Sequence, residues 1–100
     1  MDIIFEYHNV TQSDRLESLA KEKLTALKVK YDMVHRADVF FKEENTSSDE
    51  TGMVCNIRLS LPGPRLFAEG SHANFVSSIS ESVSDLETQL RKRKDKMSRH

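Results

Sequence analysis

With one cysteine, two prolines, three glycines and no run of about eighteen apolar residues, this 100-residue chain excludes several classes of protein at once. Cys55 alone cannot form an internal disulfide, which fits a reducing cytoplasm. Nothing in it is apolar for long enough to span a membrane. The opening MDIIFEYHNV has neither a basic leader nor a small-residue cleavage site, so no secretory signal is expected, and the sequons at Asn9 and Asn45 read as chance. No glycine-rich phosphate loop and no metal-ligand spacing occurs. His8, His35, His72 and His100 fall on separate segments without a paired carboxylate or nucleophile beside them. The expectation is therefore no enzyme, no cofactor, no metal and no small-molecule substrate.

What the chain does have is a lopsided charge. Residues 91–100 hold six of the fifteen Lys and Arg side chains, opposed only by Asp95, and sum to +5. Residues 1–90 carry nine basic against fifteen acidic side chains and sum to −6. The formal net charge of −1 hides that polarity. A basic end of this density is either a solvated tail or a surface for a polyanion, of which nucleic acid is the commonest.

Periodicity separates these readings. Ile3, Phe5 and Tyr7 alternate with polar neighbours as a first strand. Ser13 is placed to cap a helix over 14–30, with Leu16, Leu19, Ala20, Leu24 and Leu27 at spacings of three and four. Strands are predicted over 34–43 and 53–61; in the second, Met53, Cys55, Ile57, Leu59 and Leu61 hold a period of two, leaving Asn56, Arg58 and Ser60 on a wet face. Cys55 on that apolar period reads as a buried thiol. Phe40 falls off the period of its strand, beside Arg36, Asp38 and Lys42, as either an exposed stacking ring or an edge-packing one.

Asn45 to Gly52 reads as a polar, mobile hairpin loop, and Pro62-Gly63-Pro64 as a forced turn. A short strand over 65–69 is expected to end at Gly70. Asn74 then caps a helix with the stripe Phe75, Ile79, Val83, Leu86, Leu90 and Met97. The fold class is α+β in the order β-α-β-β-β-α: a four-stranded sheet with two helices packed on one face, a double-stranded-RNA-binding-domain-like sandwich, as one domain over 1–100. Because the charge run begins right after Leu90, it continues a packed helix. Lys92, Lys96 and Arg99 share one side of it, and cations suit a helix C-terminus.

Phe67-Ala68-Glu69-Gly70, then Leu86-Glu87-Thr88-Gln89-Leu90 and Arg91-Lys92-Arg93-Lys94-Asp95-Lys96, with Glu22-Lys23-Leu24, Leu27 and Tyr31-Asp32 upstream, resemble the ribosome hibernation promoting factors, short relatives of the ribosome-associated inhibitor protein Y. The resemblance spans essentially the whole chain. It implies a non-enzymatic, cytoplasmic factor, monomeric when free, that binds the small ribosomal subunit and its rRNA near the decoding region. There it would occupy the space of mRNA and the A- and P-site tRNAs and stop translation in starvation or stationary phase. By position, Lys23, Lys92, Lys94 and Lys96 match the family's basic positions; Arg91, Arg93, Lys28 and Lys30 join them on charge and helix geometry.

Three departures stand out. Thr88 replaces the arginine of the Leu-x-Arg-Gln-Leu block, Ala26 replaces a lysine, and the segment from Gly70 to Asn74 is about two residues longer than the family's opening. Lys28 and Arg91 are the candidates to supply the missing charge. The chain stops just after the basic block, without the dimerisation domain of the long factors or the extended tail of protein Y, so it is expected not to pair ribosomes unaided: either a separate dimerising factor is needed or single ribosomes are inactivated. Two other classes remain open at this stage: a different RNA-binding α/β sandwich, and a protein–protein adaptor.

Overall fold

The computed structural model describes residues 1–97; Arg99 and His100 lie outside the described residues. Its elements are β1 (Asp2–His8), α1 (Asp14–Lys30), β2 (Arg36–Glu43), β3 (Met53–Ser60), β4 (Leu66–His72) and α2 (Phe75–Met97). The four strands form one sheet in the order β1-β2-β3-β4. β1 runs parallel to β2, which the intervening α1 makes necessary, while β2, β3 and β4 are antiparallel neighbours joined by short connections.

Register puts one apolar row across the sheet. Phe5 lies opposite Val39, Val39 opposite Ile57, and Ile57 opposite Ala68. Both helices cover that face, and their buried residues join the strands in one core: Ala20, Leu24 and Leu27 from α1, Ile79, Leu86 and Leu90 from α2. Phe41 is the aromatic centre, stacked on Tyr7 at 5.4 Å and met edge-on by Phe75 at 5.5 Å. Among the described residues, no helix lies on the other face of the sheet.

Local chemistry sets the ends of α1. Ser13 Oγ accepts from the Leu16 amide at 3.2 Å, and Asp14 and Glu17 occupy the first turn, where the helix dipole favours acids. The helix is fastened to β1 by Tyr7, whose hydroxyl donates to Glu17 Oε2 at 2.5 Å, and by the Lys21 ammonium 5.7 Å from the centre of the Phe5 ring.

Two strand limits differ from the sequence reading by more than a single residue. Val34 is buried but precedes β2, because residues 31–35 form an irregular corner: the Val34 amide returns to the Tyr31 carbonyl, and Lys28 Nζ donates to the Asp32 and Val34 carbonyls. β4 does not end at Gly70. Cys55, Val54 and Met53 pair with Gly70, Ser71 and His72, so the strand runs two residues further. Gly70 is there for space: a Cβ on it would lie 2.4 Å from the Ser78 carbonyl oxygen of α2.

That close approach fixes how α2 docks. The Ser78 hydroxyl donates to the Met53 carbonyl and the Ser82 hydroxyl to the Cys55 carbonyl, the latter at 2.7 Å. Both serines are fully buried, and each hydroxyl is satisfied. Cys55 is buried beside them, and burial pushes its thiol up to about 12, so it stays protonated and inert near neutrality. The Asn45 to Gly52 segment closes the β2–β3 hairpin through the Glu44 amide on the Gly52 carbonyl at 2.8 Å and the Gly52 amide on Ser71 Oγ at 3.0 Å.

Candidate nucleic-acid interface

α2 is a 23-residue helix, about 34 Å long at 1.5 Å per residue. Asn74 Oδ1 accepts from the Ser77 amide at 2.8 Å and starts it, as an N-cap asparagine does. Its last fully buried residue is Leu90. The seven described residues beyond Leu90 therefore carry the helix about 10 Å past the core. In that stretch Arg91, Lys92, Arg93, Lys94 and Lys96 face one acid, Asp95. The basic end is the continuation of a packed helix, and Lys94 and Lys96 lie in the last turn, where the dipole favours cations.

At 100° per residue, these cations divide between the two flanks of the helix. On the flank toward α1, Glu87 Oε1 is 3.2 Å from Lys30 Nζ and 3.9 Å from an Arg91 guanidinium nitrogen, so one carboxylate joins the two helices. The Lys94 ammonium lies 5.6 Å from the centre of the Tyr31 ring at the end of α1. Lys23, Ala26, Leu27, Lys30, Val83 and Glu87 line the groove between the helices. Lys23, Lys30, Arg91 and Lys94 thus form one basic strip. The pairs to Glu87 are exposed and contribute little to stability, so they hold the cations in place without neutralising the strip.

On the opposite flank, Gln89, Lys92, Arg93 and Lys96 line a second shallow groove. Arg93 is anchored there, donating to the Pro62 carbonyl at 3.2 Å and to the Pro64 carbonyl at 2.9 Å. The forced turn of Pro62-Gly63-Pro64 leaves carbonyls without ladder partners, and Arg93 collects them. Among the described residues, Lys23, Lys92 and Lys96 make no hydrogen bond or ion pair, so their ammonium groups are available to an outside anion.

Lys28 stands apart from this set. Its ammonium is engaged by the Asp32 and Val34 carbonyls, which places it at the corner after α1 with two of its three donors in use. The structure therefore gives Lys28 a structural task and Arg91 a place in the strip. Replacing Lys28 with alanine leaves two carbonyls without their partner, and a loss of about 1 kcal/mol is expected. A thermal melt should show a fall of roughly 4–8 °C. At Thr88, the hydroxyl turns back to the Ser84 carbonyl at 3.3 Å and supplies no charge.

Sequence reasoning located the charge but missed three features: the division into two flanks, the Glu87 link, and the anchoring of Arg93. The first was open to a helical projection from Leu86; the others depend on which loops arrive beside α2. Lys92 and Lys96 do share a side, as the spacing predicts, and Arg99 lies outside the described residues.

A family profile described as Sigma 54 modulation protein / S30EA ribosomal protein matches residues 3–98. No curated protein matches. Among solved structures, a ribosomal subunit interface protein from Coxiella burnetii is similar with a TM-score of 0.81 at 22% identity, covering 95% of this chain and 99% of that one. The N-terminal domain of Thermus thermophilus Protein Y is similar with a TM-score of 0.73 at 22% identity, covering 92% of this chain and 98% of that one. At these identities the two structures establish a shared fold, and that fold is the β-α-β-β-β-α sandwich read from the sequence.

Proposed function

The chain belongs to the Sigma 54 modulation protein / S30EA ribosomal protein family, and on that premise we propose that it is a ribosome hibernation factor. In this reading it binds the rRNA of the small ribosomal subunit near the decoding region, excludes mRNA and the A- and P-site tRNAs, and inhibits translation in starvation or stationary phase. It works by occupancy, without catalysis. The observation that carries the reading is the end of α2, which holds five cations against one acid beyond the last buried residue, beside Lys23 and Lys30 of α1. Family membership supplies the ribosome; the charged helix pair supplies a surface able to hold its RNA.

The chemistry follows from the arrangement. Folded RNA is recognised largely through its shape and its phosphates, and each phosphate neutralised by Lys or Arg releases counterions. A rigid helix end with cations on both flanks can touch backbone on two sides of a cleft. Lys92 and Lys96 face one wall, while Lys23, Lys30, Arg91 and Lys94 face the other. Arg93 adds charge close to these contacts while holding its own carbonyls, and Lys28 adds charge at the corner after α1.

Competition on small subunits tests the proposal. Purified small subunits are loaded with mRNA and labelled P-site tRNA, and the protein is titrated in. Release of tRNA in step with protein binding is the expected result, together with inhibition of cell-free translation over the same concentration range. Stable co-occupancy of protein and P-site tRNA on one subunit contradicts it.

A further inference from the structure

The face of the sheet that carries no helix is not a plain solvated surface. Across β1, β2 and β3, and up to Arg65 just before β4, it contains a groove of about 510 Å³ lined by Glu6, Arg36, Asp38, Phe40, Arg58 and Arg65, among others. Its charges are unequally committed. Arg36 spends its guanidinium on Asp38, with nitrogens at 2.9 Å and 3.2 Å from the carboxylate oxygens. Arg58 lies directly across from Asp38 in the β2–β3 ladder, yet the carboxylate is already taken. Among the described residues neither Arg58 nor Arg65 makes a hydrogen bond or ion pair, and both are exposed. Three arginines and two carboxylates line the groove, with Asp2 opposite Arg36 and Glu69 on Asn56 at its borders, so the uncommitted charge within it is that of Arg58 and Arg65.

Aromatic rings flank these cations. Phe40 points into the groove and stacks on His8 with ring centres 6.4 Å apart. Phe67 is 47% exposed and lies opposite Arg58 in the β3–β4 ladder. Phe40 pairs with Asn56, Asn56 pairs with Glu69, and Phe67 is two residues before Glu69. With strands about 4.8 Å apart and about 3.4 Å of rise per residue, the two phenylalanines lie roughly 12 Å apart on a diagonal. Arg58 stands between them. Two rings at that separation can hold two bases of one strand, with an unpaired guanidinium placed for a phosphate of the backbone between them.

We propose that this open sheet face is a second nucleic-acid site, one that binds a short single-stranded RNA segment by stacking bases on Phe40 and Phe67 and holding phosphates on Arg58 and Arg65. Flat aromatic and guanidinium groups interleaved on a rigid sheet suit unpaired bases, because every base offers a π-face whatever its sequence. A duplex does not fit the same surface, since its bases are already stacked. The site is separate from the helix pair and holds whether or not the helix pair binds rRNA.

Fluorescence anisotropy with a fluorescein-labelled ten-nucleotide adenosine RNA tests it without any ribosome, in protein carrying K92E, K94E and K96E so that the helix end does not contribute. Saturable binding is expected. F67A should weaken it about five- to a hundredfold, and the R58A/R65A double variant at least about tenfold. An abasic strand of the same length should bind at least about tenfold more weakly than the adenosine strand. Amide spectra matching the parent verify that each variant is folded, and in the parent the RNA should shift resonances of β2, β3 and β4. Equal binding of the abasic strand, undiminished binding by R58A/R65A, shifts confined to α1 and α2, or displacement by deca-glutamate at equal charge concentration would each overturn the proposal. The last result would assign the face to an acidic peptide.

Discussion

Exchanging Lys92, Lys94 and Lys96 for glutamate should lower affinity for small ribosomal subunits by roughly two to three orders of magnitude. All three lie beyond Leu90, the last buried residue of α2, so the change falls on charge and not on the core. Each substitution removes a cation from reach of phosphate and puts an anion there. Both flanks of the helix are affected, because Lys92 and Lys96 line one groove and Lys94 sits over Tyr31 on the other side. Glutamate near a helix C-terminus also opposes the dipole, at about 0.3–1 kcal/mol for each residue. A glutamine version of the same triple change separates the two effects: it should keep the fold's stability and still lose most of the affinity. Arg15→Glu makes the same reversal of charge at one residue, at the far end of α1 where the dipole favours acids, and should change binding less than about threefold. A filter-binding titration against isolated subunits measures all three.

Alanine at Gly70 should be the most destabilising single methyl group in the chain. Its Cβ would lie 2.4 Å from the Ser78 carbonyl oxygen and 3.1 Å from the Ser78 Cα, both backbone atoms of α2 that cannot rotate aside. The helix would have to lift from the sheet. That movement would stretch the Ser78 bond to Met53 and the 2.7 Å Ser82 bond to Cys55, leaving buried polar groups unsatisfied. Overpacking and the weakened bonds together are expected to cost about 3 kcal/mol. For a chain of this size the thermal midpoint should fall by roughly 15 °C. A melt followed by circular dichroism measures this. Lys28→Ala, which only frees carbonyls at an exposed corner, should have a clearly smaller effect.

These two sites also show what was legible in the sequence and what was not. The apolar periods of β3 and α1 predicted their positions closely, since one buried face imposes a period of two on a strand and spacings of three and four on a helix. The element order followed, and with it the sheet and the side on which the helices lie. The docking of α2 did not. Gly70, Ser78 and Ser82 are small and polar, so in sequence they look like a strand end and a wet helix face, whereas their smallness is what allows strand and helix to meet. The extension of β4 through His72 was hidden for the same reason. At the candidate site, the run from Arg91 to Lys96 announced itself by charge alone. Its division into two flanks, the commitment of Lys28 and Arg93 to backbone carbonyls, and the Glu87 link all depend on neighbours far away in sequence. The open-face groove needed three strands in register before Phe40, Arg58 and Phe67 came together.

We propose that the helix pair holds the RNA of the small ribosomal subunit through phosphate contacts. Co-sedimentation with separated small and large subunits, repeated from low to high salt, tests it most directly. Binding to the small subunit, with log K falling against log salt at a slope of about −3 to −5, matches some five phosphates neutralised. The slope should flatten by about one for each of Lys92, Lys94 and Lys96 replaced by glutamine. Binding that is indifferent to salt, or that goes to the large subunit with equal strength, would contradict the account.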